Sequence, residues 1–379
     1  MSVRSDVARM SAYTLELRHA EVKLNQNESP FDFPPELKQQ VLERVAKRSW
    51  NIYPDFESIS LRGAIANAYG FAPENILVGN GSNELLAAAI GAFVGPGTPV
   101  VFPRPTFTLY EKLVTIAGGL PVPIEFDPDS GLLPLDAMLD AIGNYPGAIV
   151  IVCSPNNPTG GVLPPSGLER LLDTGATVLF DRAYGDFAQA AVPALHDRLV
   201  TFSTFSKAWG LAALRVGWLA STAANCREIR KVKLPYSLNI ISEAIAEIAL
   251  ENRDVRDRNV AAIMSERERV CAAMREIERI IVFPTSANFV TFRTQRPCKE
   301  VFEELCARGI LVRDVSAYPR LASCLRVSIG SVEQNDRFLE NLRVILSRVD
   351  GEGPVTSSDA VGNGSFGVYA PQDDTEAHQ

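Results

Sequence analysis

The chain is poor in the residues that build metal centres and hydrolase triads. It has three histidines, His19, His196 and His378, and none lies near another. A histidine-based metal site or a Ser-His-Asp triad therefore has too few parts, and no metal is expected. Six cysteines (Cys153, Cys226, Cys271, Cys298, Cys306 and Cys324) are scattered without a C-x-x-C pair. That argues against a zinc site or a disulfide framework and fits the reducing cytoplasm. No apolar run approaches the ~20 residues that cross a bilayer, and the N-terminus lacks the apolar core of a signal peptide. The net charge is −8 and basic residues form no long block, so neither a membrane nor a nucleic acid is an expected partner. No G-x-x-x-x-G-K-[ST] loop and no internal repeat is present.

What is there is an ordinary globular balance, 46% hydrophobic and 22% charged over 379 residues, enough for two domains with a large core. An irregular segment at 1–35 precedes helices predicted over 36–48 and 59–69. Pro35 suits a helix start, and Leu37, Val41 and Val45 share one face. The pattern then alternates. Strands are expected at 76–78, 99–102, 120–124, 148–153, 177–181, 199–203 and 216–220, with a helix at 84–93. Several strands are continuous apolar runs, as in a mainly parallel sheet covered on both faces, so the fold class is α/β. Helices follow at 237–252 and 255–279. A smaller α+β unit is read from strands at 287–292, 310–313 and 324–329 and helices at 299–308 and 332–349, the last opened by a capping box at Ser331. The expected division is 1–35, a large unit 36–265 and a small unit 266–350. Residues 351–379 hold few aliphatics and read as a disordered tail.

Four stretches carry possible chemistry, each at a strand end. Gly79-Asn80-Gly81-Ser82-Asn83-Glu84 is a close turn opening a helix, whose amides and dipole can hold a phosphate. Taken alone, these residues read first as a plain turn with Ser82 or Asn83 as N-cap. It is no dinucleotide fingerprint, since Glu84 stands at the third glycine. Ser154-Pro155-Asn156-Asn157-Pro158-Thr159-Gly160 is a rigid amide loop, or a turn built only for chain reversal. Asp181 ends an apolar strand, where a carboxylate needs a cation or hydrogen bonds; a salt bridge to Arg182 is the bland alternative. Tyr184 can reach the same place. Lys207 follows the strand end Ser203-Thr204-Phe205-Ser206, with Arg215 eight residues on. In apolar surroundings a lysine amine is easier to deprotonate and forms a Schiff base with a carbonyl; a surface lysine is the alternative. Ser206 and Arg215 suit a phosphate. Together, a phosphate turn, an amide, an aspartate, a lysine and an arginine at the ends of one sheet are what pyridoxal 5′-phosphate requires.

The motifs also carry a resemblance. Lys23-Leu24-Asn25-Gln26-Asn27-Glu28-Ser29-Pro30, Tyr53-Pro54-Asp55, the turn at 79–84, Pro105-Thr106-Phe107-Thr108-Leu109-Tyr110, the P-N-N-P-T-G loop at 155–160, the S-K-A-W-G-L-A-A-L-R-V-G run at 206–217, Gly309-Ile310-Leu311-Val312-Arg313-Asp314 and Leu325-Arg326-Val327-Ser328-Ile329-Gly330 resemble the fold-type I, class I/II pyridoxal-phosphate-dependent aminotransferases. Among these the histidinol-phosphate aminotransferases are most similar, over about 13–349. The resemblance implies a large domain with a seven-stranded, mainly parallel sheet between helices and a small α+β domain. It implies ping-pong transfer of an amino group between an amino donor and a keto acceptor, histidinol phosphate with glutamate/2-oxoglutarate foremost. An aromatic or specialised-metabolite aminotransferase and a threonine-phosphate-type decarboxylase share the same motifs. Carried over, Lys207 binds the cofactor aldehyde and moves protons, Asp181 pairs with the pyridine nitrogen, and Asn157 and Tyr184 contact the ring hydroxyl. Phe107, or Tyr110 in its place, stacks on the ring. Ser82, Asn83, Ser206 and Arg215 hold the phosphate, joined by Tyr53 of a neighbouring subunit, which implies a homodimer. Arg326 clamps a substrate carboxylate; Tyr13, Asn27, Tyr236 and Arg313 are further substrate residues. Asn83 replaces the usual Asp, and Arg182 the usual Glu after the aspartate.

Overall fold

The structure is a computed structural model that describes residues 3–12 and 18–347. Tyr13 and the expected tail at 351–379 lie outside the described residues. The strands in chain order are β1 (Val22–Lys23), β2 (Ile76–Asn80), β3 (Pro99–Arg104), β4 (Leu120–Glu125), β5 (Ile149–Cys153), β6 (Thr177–Asp181), β7 (Leu199–Thr204), β8 (Val216–Ala220), β9 (Ile280–Val282), β10 (Phe289–Thr294), β11 (Ile310–Leu311), β12 (Arg313–Asp314) and β13 (Cys324–Ser328).

Seven of them form the central sheet in the order β2-β8-β7-β6-β5-β3-β4. All its neighbours pair in parallel except β8, which runs antiparallel to both β2 and β7. The connection from Thr204 to Val216 is too short for a crossover helix, so the chain folds straight back. Every residue of β5, β7 and β8 is buried, as continuous apolar strands covered on both faces should be. The helix Pro35–Ala46 buries Leu37, Val41 and Val45, the face read from their spacing, and lies against Ile240–Glu251.

A second, four-stranded antiparallel sheet, β12-β13-β10-β9, is backed by the helices Cys298–Ala307 and Val332–Ser347, with Arg253–Arg275 running alongside. The single strand expected at 310–313 is two. Ile310–Leu311 pairs in parallel with Val22–Lys23, whereas Arg313–Asp314 pairs with β13. The break at Val312 turns Arg313 onto the sheet that carries Arg326. The helices Leu109–Ile116, Leu135–Asn144, Gly167–Asp173 and Ala223–Val232 have no counterpart in the sequence reading.

This topology gathers the chemistry at one edge. The carboxyl ends of β2, β3, β5, β6 and β7 point the same way, and antiparallel β8 starts there. Register pairs Cys153 with Asp181, Asp181 with Phe202, and Asn80 with Val216. Ligands in open α/β sheets bind at such an edge.

Candidate active site

A cleft of about 380 Å³ opens at that edge. Lys207 is half-buried in its wall. Its Nζ donates to the Gln26 carbonyl at 2.9 Å and lies 6.0 Å from the centre of the Tyr184 ring. No carboxylate pairs with it among the described residues. Burial, and after it the charge of Arg326, pulls its pKa down to about 8. One carbonyl and a ring face 6.0 Å away replace only part of the hydration that burial removes from an ammonium, so the neutral amine is favoured.

Asp181 is the second corner. It is buried, and it accepts hydrogen bonds from the Tyr110 hydroxyl at 2.8 Å and the Ala183 amide at 2.9 Å. Burial pushes its pKa up, and these two bonds draw it back. No cation reaches it among the described residues, so the carboxylate is held in place for a positive group that arrives from the cleft. Arg182 does not serve. Its guanidinium, also buried, turns to the Ala190 carbonyl at 2.8 Å and to Asp186 at 3.9 Å.

The third corner is built for an anion. The helix Ser82–Phe93 opens at Gly81, whose φ is 77°, so Ser82 and Asn83 stand in the first turn with free amides towards the cleft. Arg215 lies beside them and donates to Ser206 Oγ at 3.2 Å; Thr204 donates to the same oxygen at 3.0 Å. Two glycines make this approach possible. A Cβ at Gly81 would stand 2.5 Å from Arg215 Nη2, and one at Gly217 would stand 2.2 Å from the Ser82 amide nitrogen.

The opposite wall comes from the smaller sheet and the N-terminal segment. Arg326, buried on β13, donates to the Asn157 side-chain oxygen and to the Asn25 carbonyl at 3.0 Å, and lies 5.1 Å over the Phe289 ring. Asn27, at φ 54°, donates to the Tyr184 hydroxyl at 2.9 Å. Arg313 lines the cleft, and its guanidinium has no hydrogen-bond or ion-pair partner among the described residues. Asn25 Oδ1 is buried without a partner among them. Phe107 is half-buried on the cleft; Tyr110, fully buried, meets it edge-on at 5.6 Å.

The chain matches the aminotransferase class I and II family over residues 20–342. It belongs to that family. Similar relatives include the histidinol-phosphate aminotransferase of Chlorobaculum parvum, 38% identical over 88% of this chain and 96% of the relative, and that of Aquifex aeolicus, 37% identical over 89% and 96%. The crystal structure of histidinol-phosphate aminotransferase from Sinorhizobium meliloti in complex with pyridoxal-5′-phosphate superposes with a TM-score of 0.76, at 25% identity over 87% of this chain and 92% of that one. This aminotransferase uses pyridoxal 5′-phosphate. The cleft fits the cofactor on its own evidence: an amine without a counter-ion, a buried carboxylate without a cation, and a glycine-lined anion cradle.

Tyr53, expected to act in the neighbouring subunit's site, and Tyr236 do not line the cleft of their own chain. Tyr53 is 79% exposed and stacks on Tyr236 at 4.6 Å, away from the cleft of its own chain. Conversely, Tyr318 and Val315 line the cleft, and nothing in the sequence reading singled them out. Asn156, adjacent to Asn157, is a structural clip. It accepts from Thr106 Oγ1 at 2.6 Å and donates to the Pro105 carbonyl at 2.9 Å, tying two strand-end loops together. Among the described residues no group of metal ligands occurs, and no helix is long and apolar enough to cross a membrane.

Proposed function

We propose that the aminotransferase interconverts histidinol phosphate and its keto partner, with glutamate and 2-oxoglutarate as the other pair. The observation that carries this reading is the pair of arginines on one wall. Arg313 and Arg326 are register partners on β12 and β13. Two guanidiniums suit a donor with a phosphate and an acceptor with two carboxylates. The histidinol-phosphate aminotransferases among the relatives support the same choice.

Within it each residue has a task. Lys207 Nζ would hold the cofactor through its aldehyde and would serve as the base for the proton on the amine-bearing carbon of the substrate. Asp181 would keep the pyridine nitrogen of the cofactor protonated. Asn157 and Tyr184 would orient the cofactor ring, and Phe107 would be the ring available to cover it, because the Tyr110 hydroxyl is committed to Asp181. Ser82, Asn83, Ser206 and Arg215 fix the phosphate. Arg326 and Arg313 orient the substrate anions, and Asn27 sets Tyr184. Bound there, pyridoxal phosphate supplies the aldehyde and a ring that accepts electrons from the substrate carbon.

Mixing the cofactor-loaded protein with histidinol phosphate, phenylalanine, tyrosine and glutamate in turn tests the substrate. Histidinol phosphate and glutamate are expected to bleach the yellow Schiff-base band fastest. If histidinol phosphate fails while an aromatic amino acid reacts fast, the substrate assignment is wrong and the class stands. Carbon dioxide release from threonine phosphate, without formation of the amine form of the cofactor, would make it a decarboxylase.

The reading includes a homodimer. Trp50, Ile52, Tyr53, Phe56, Leu234 and Tyr236 are all exposed, with Tyr53, Phe56 and Tyr236 in ring contact. A clustered apolar surface of this kind supports burial against a second copy, which would carry Tyr53 towards the neighbouring phosphate cradle. Sedimentation at micromolar concentration is expected to give twice the chain mass; a monomer would contradict it.

A further inference from the structure

The phosphate turn contains a charge of the wrong sign. Glu84 stands in the first turn of Ser82–Phe93, one residue after Asn83. A carboxylate there competes with a phosphate for the positive end of the helix. The turn nevertheless depends on it. Glu84 folds back so that Oε2 accepts the Asn80 amide, and Gly79 leaves room for it, since a Cβ there would stand 3.0 Å from that oxygen. The carboxylate thus braces the backbone that presents Ser82 and Asn83. Its other oxygen, Oε1, is buried without a hydrogen bond among the described residues.

One cation faces that oxygen. Lys233 Nζ is 3.9 Å from Glu84 Oε1, and the two side chains are 13% and 16% exposed. Lys233 caps the end of Ala223–Val232, a helix packed on Ser82–Phe93, with Val232 seated over Gly91 where a Cβ would stand 3.0 Å away. Its ammonium is fixed by Ser237 Oγ at 2.7 Å and the Leu234 carbonyl at 3.0 Å. The other charges nearby, Arg230 and Glu57, pair with each other at 2.8 Å.

We infer that Glu84 and Lys233 are positioning residues for the cofactor phosphate: Glu84 braces the turn, and Lys233 offsets the charge with which Glu84 would otherwise repel the phosphate. The inference rests on the proposed role of the turn and Arg215. Lys233 also anchors the 234–238 loop that carries Tyr236, so the same contact links the cradle to the exposed tyrosine pair.

The test compares pyridoxal phosphate with pyridoxal, which keeps the ring and aldehyde but lacks the phosphate, by titrating apo-protein and reading dissociation constants. Lys233→Met is expected to weaken pyridoxal phosphate roughly tenfold and to leave pyridoxal within about twofold. Adding Glu84→Gln to Lys233→Met should restore most of the loss, and Lys233→Arg should behave as wild type. Equal losses for both ligands, or none for the phosphate, would overturn the inference. Should Lys233→Met not fold, Glu84→Gln alone decides: it should bind pyridoxal phosphate at least as tightly as wild type, and selective weakening would overturn the inference. Wild-type protein that binds the two ligands equally would instead reject the phosphate site itself.

Discussion

Replacing Lys207 by alanine should lower transamination by at least about 10³-fold, because one change removes the covalent anchor and the base, and a positioned base alone is worth ~10²–10⁴-fold. The purified variant should still bind pyridoxal phosphate but lack the yellow Schiff-base band. The environment of the amine adds a pH arm. A half-buried Nζ held by a carbonyl, with no carboxylate partner among the described residues, has its pKa pulled down to about 8. At pH 7 roughly a tenth of it is then the reactive neutral amine, against about one part in 3,000 for an ordinary lysine. Capture of the cofactor aldehyde by apo-protein should therefore rise with pH through a midpoint near pH 8 and level off about one unit above it. A midpoint near the ordinary value for lysine, or full activity in the alanine variant, would contradict this role.

Asp181→Asn should cost about 10²- to several-thousand-fold in kcat/KM, since removing one partner of a buried charge pair costs ~3–5 kcal/mol and each ~1.4 kcal/mol is a factor of ten. Asparagine keeps the size of the side chain and an acceptor for Tyr110, so the loss reports the charge. The same variant should make the apo-protein more stable at neutral pH. The folded-state pKa of Asp181 is raised by burial above its ordinary 3.8, so its ionisation costs stability as pH rises through that range. Asparagine escapes this cost, and its advantage should shrink as pH falls through the raised folded-state pKa and be lost below the ordinary 3.8. Thermal melts of the two apo-proteins across pH check the sign; a wild type more stable than the variant at pH 7 would refute it. Tyr110→Phe is the milder companion. It keeps the ring and removes one hydrogen bond to Asp181, so cofactor affinity should fall roughly tenfold. If Tyr110 acted only by stacking, phenylalanine would be harmless.

Much of this site was legible before the fold, for a topological reason. Asp181, Asn157 and Lys207 each follow an apolar strand, and in a mainly parallel sheet all such ends meet at one edge. The strand signal was strong where both faces are buried, as in Ile149–Cys153 and Val216–Ala220. What pairing register decides was not legible. Antiparallel β8 brings Arg215 beside Ser82 through the single pairing of Gly79 with Gly217. The division of 310–313 into two strands is likewise a matter of partners, because an apolar run does not say which sheet each residue joins. The helix Ala223–Val232 escaped notice because it buries only Cys226 and Ile229, too few positions for a periodic signal, and with it went the approach of Lys233 to Glu84. Tyr110 stands as a rival to Phe107 for stacking in the sequence because nothing local reveals that its hydroxyl meets Asp181, 71 residues away. Tyr236 is expected as a substrate residue, and its stacking on Tyr53 is a contact that sequence spacing does not reveal.

The central claim is that Lys207 is the residue that carries pyridoxal phosphate. Borohydride reduction of the loaded protein, followed by mass mapping of its peptides, tests it most directly. The account predicts one reduced pyridoxyl group per chain, on the peptide containing Ser206-Lys207-Ala208, and none in the alanine variant. A pyridoxyl group on another lysine, or none after saturation with cofactor, would contradict it.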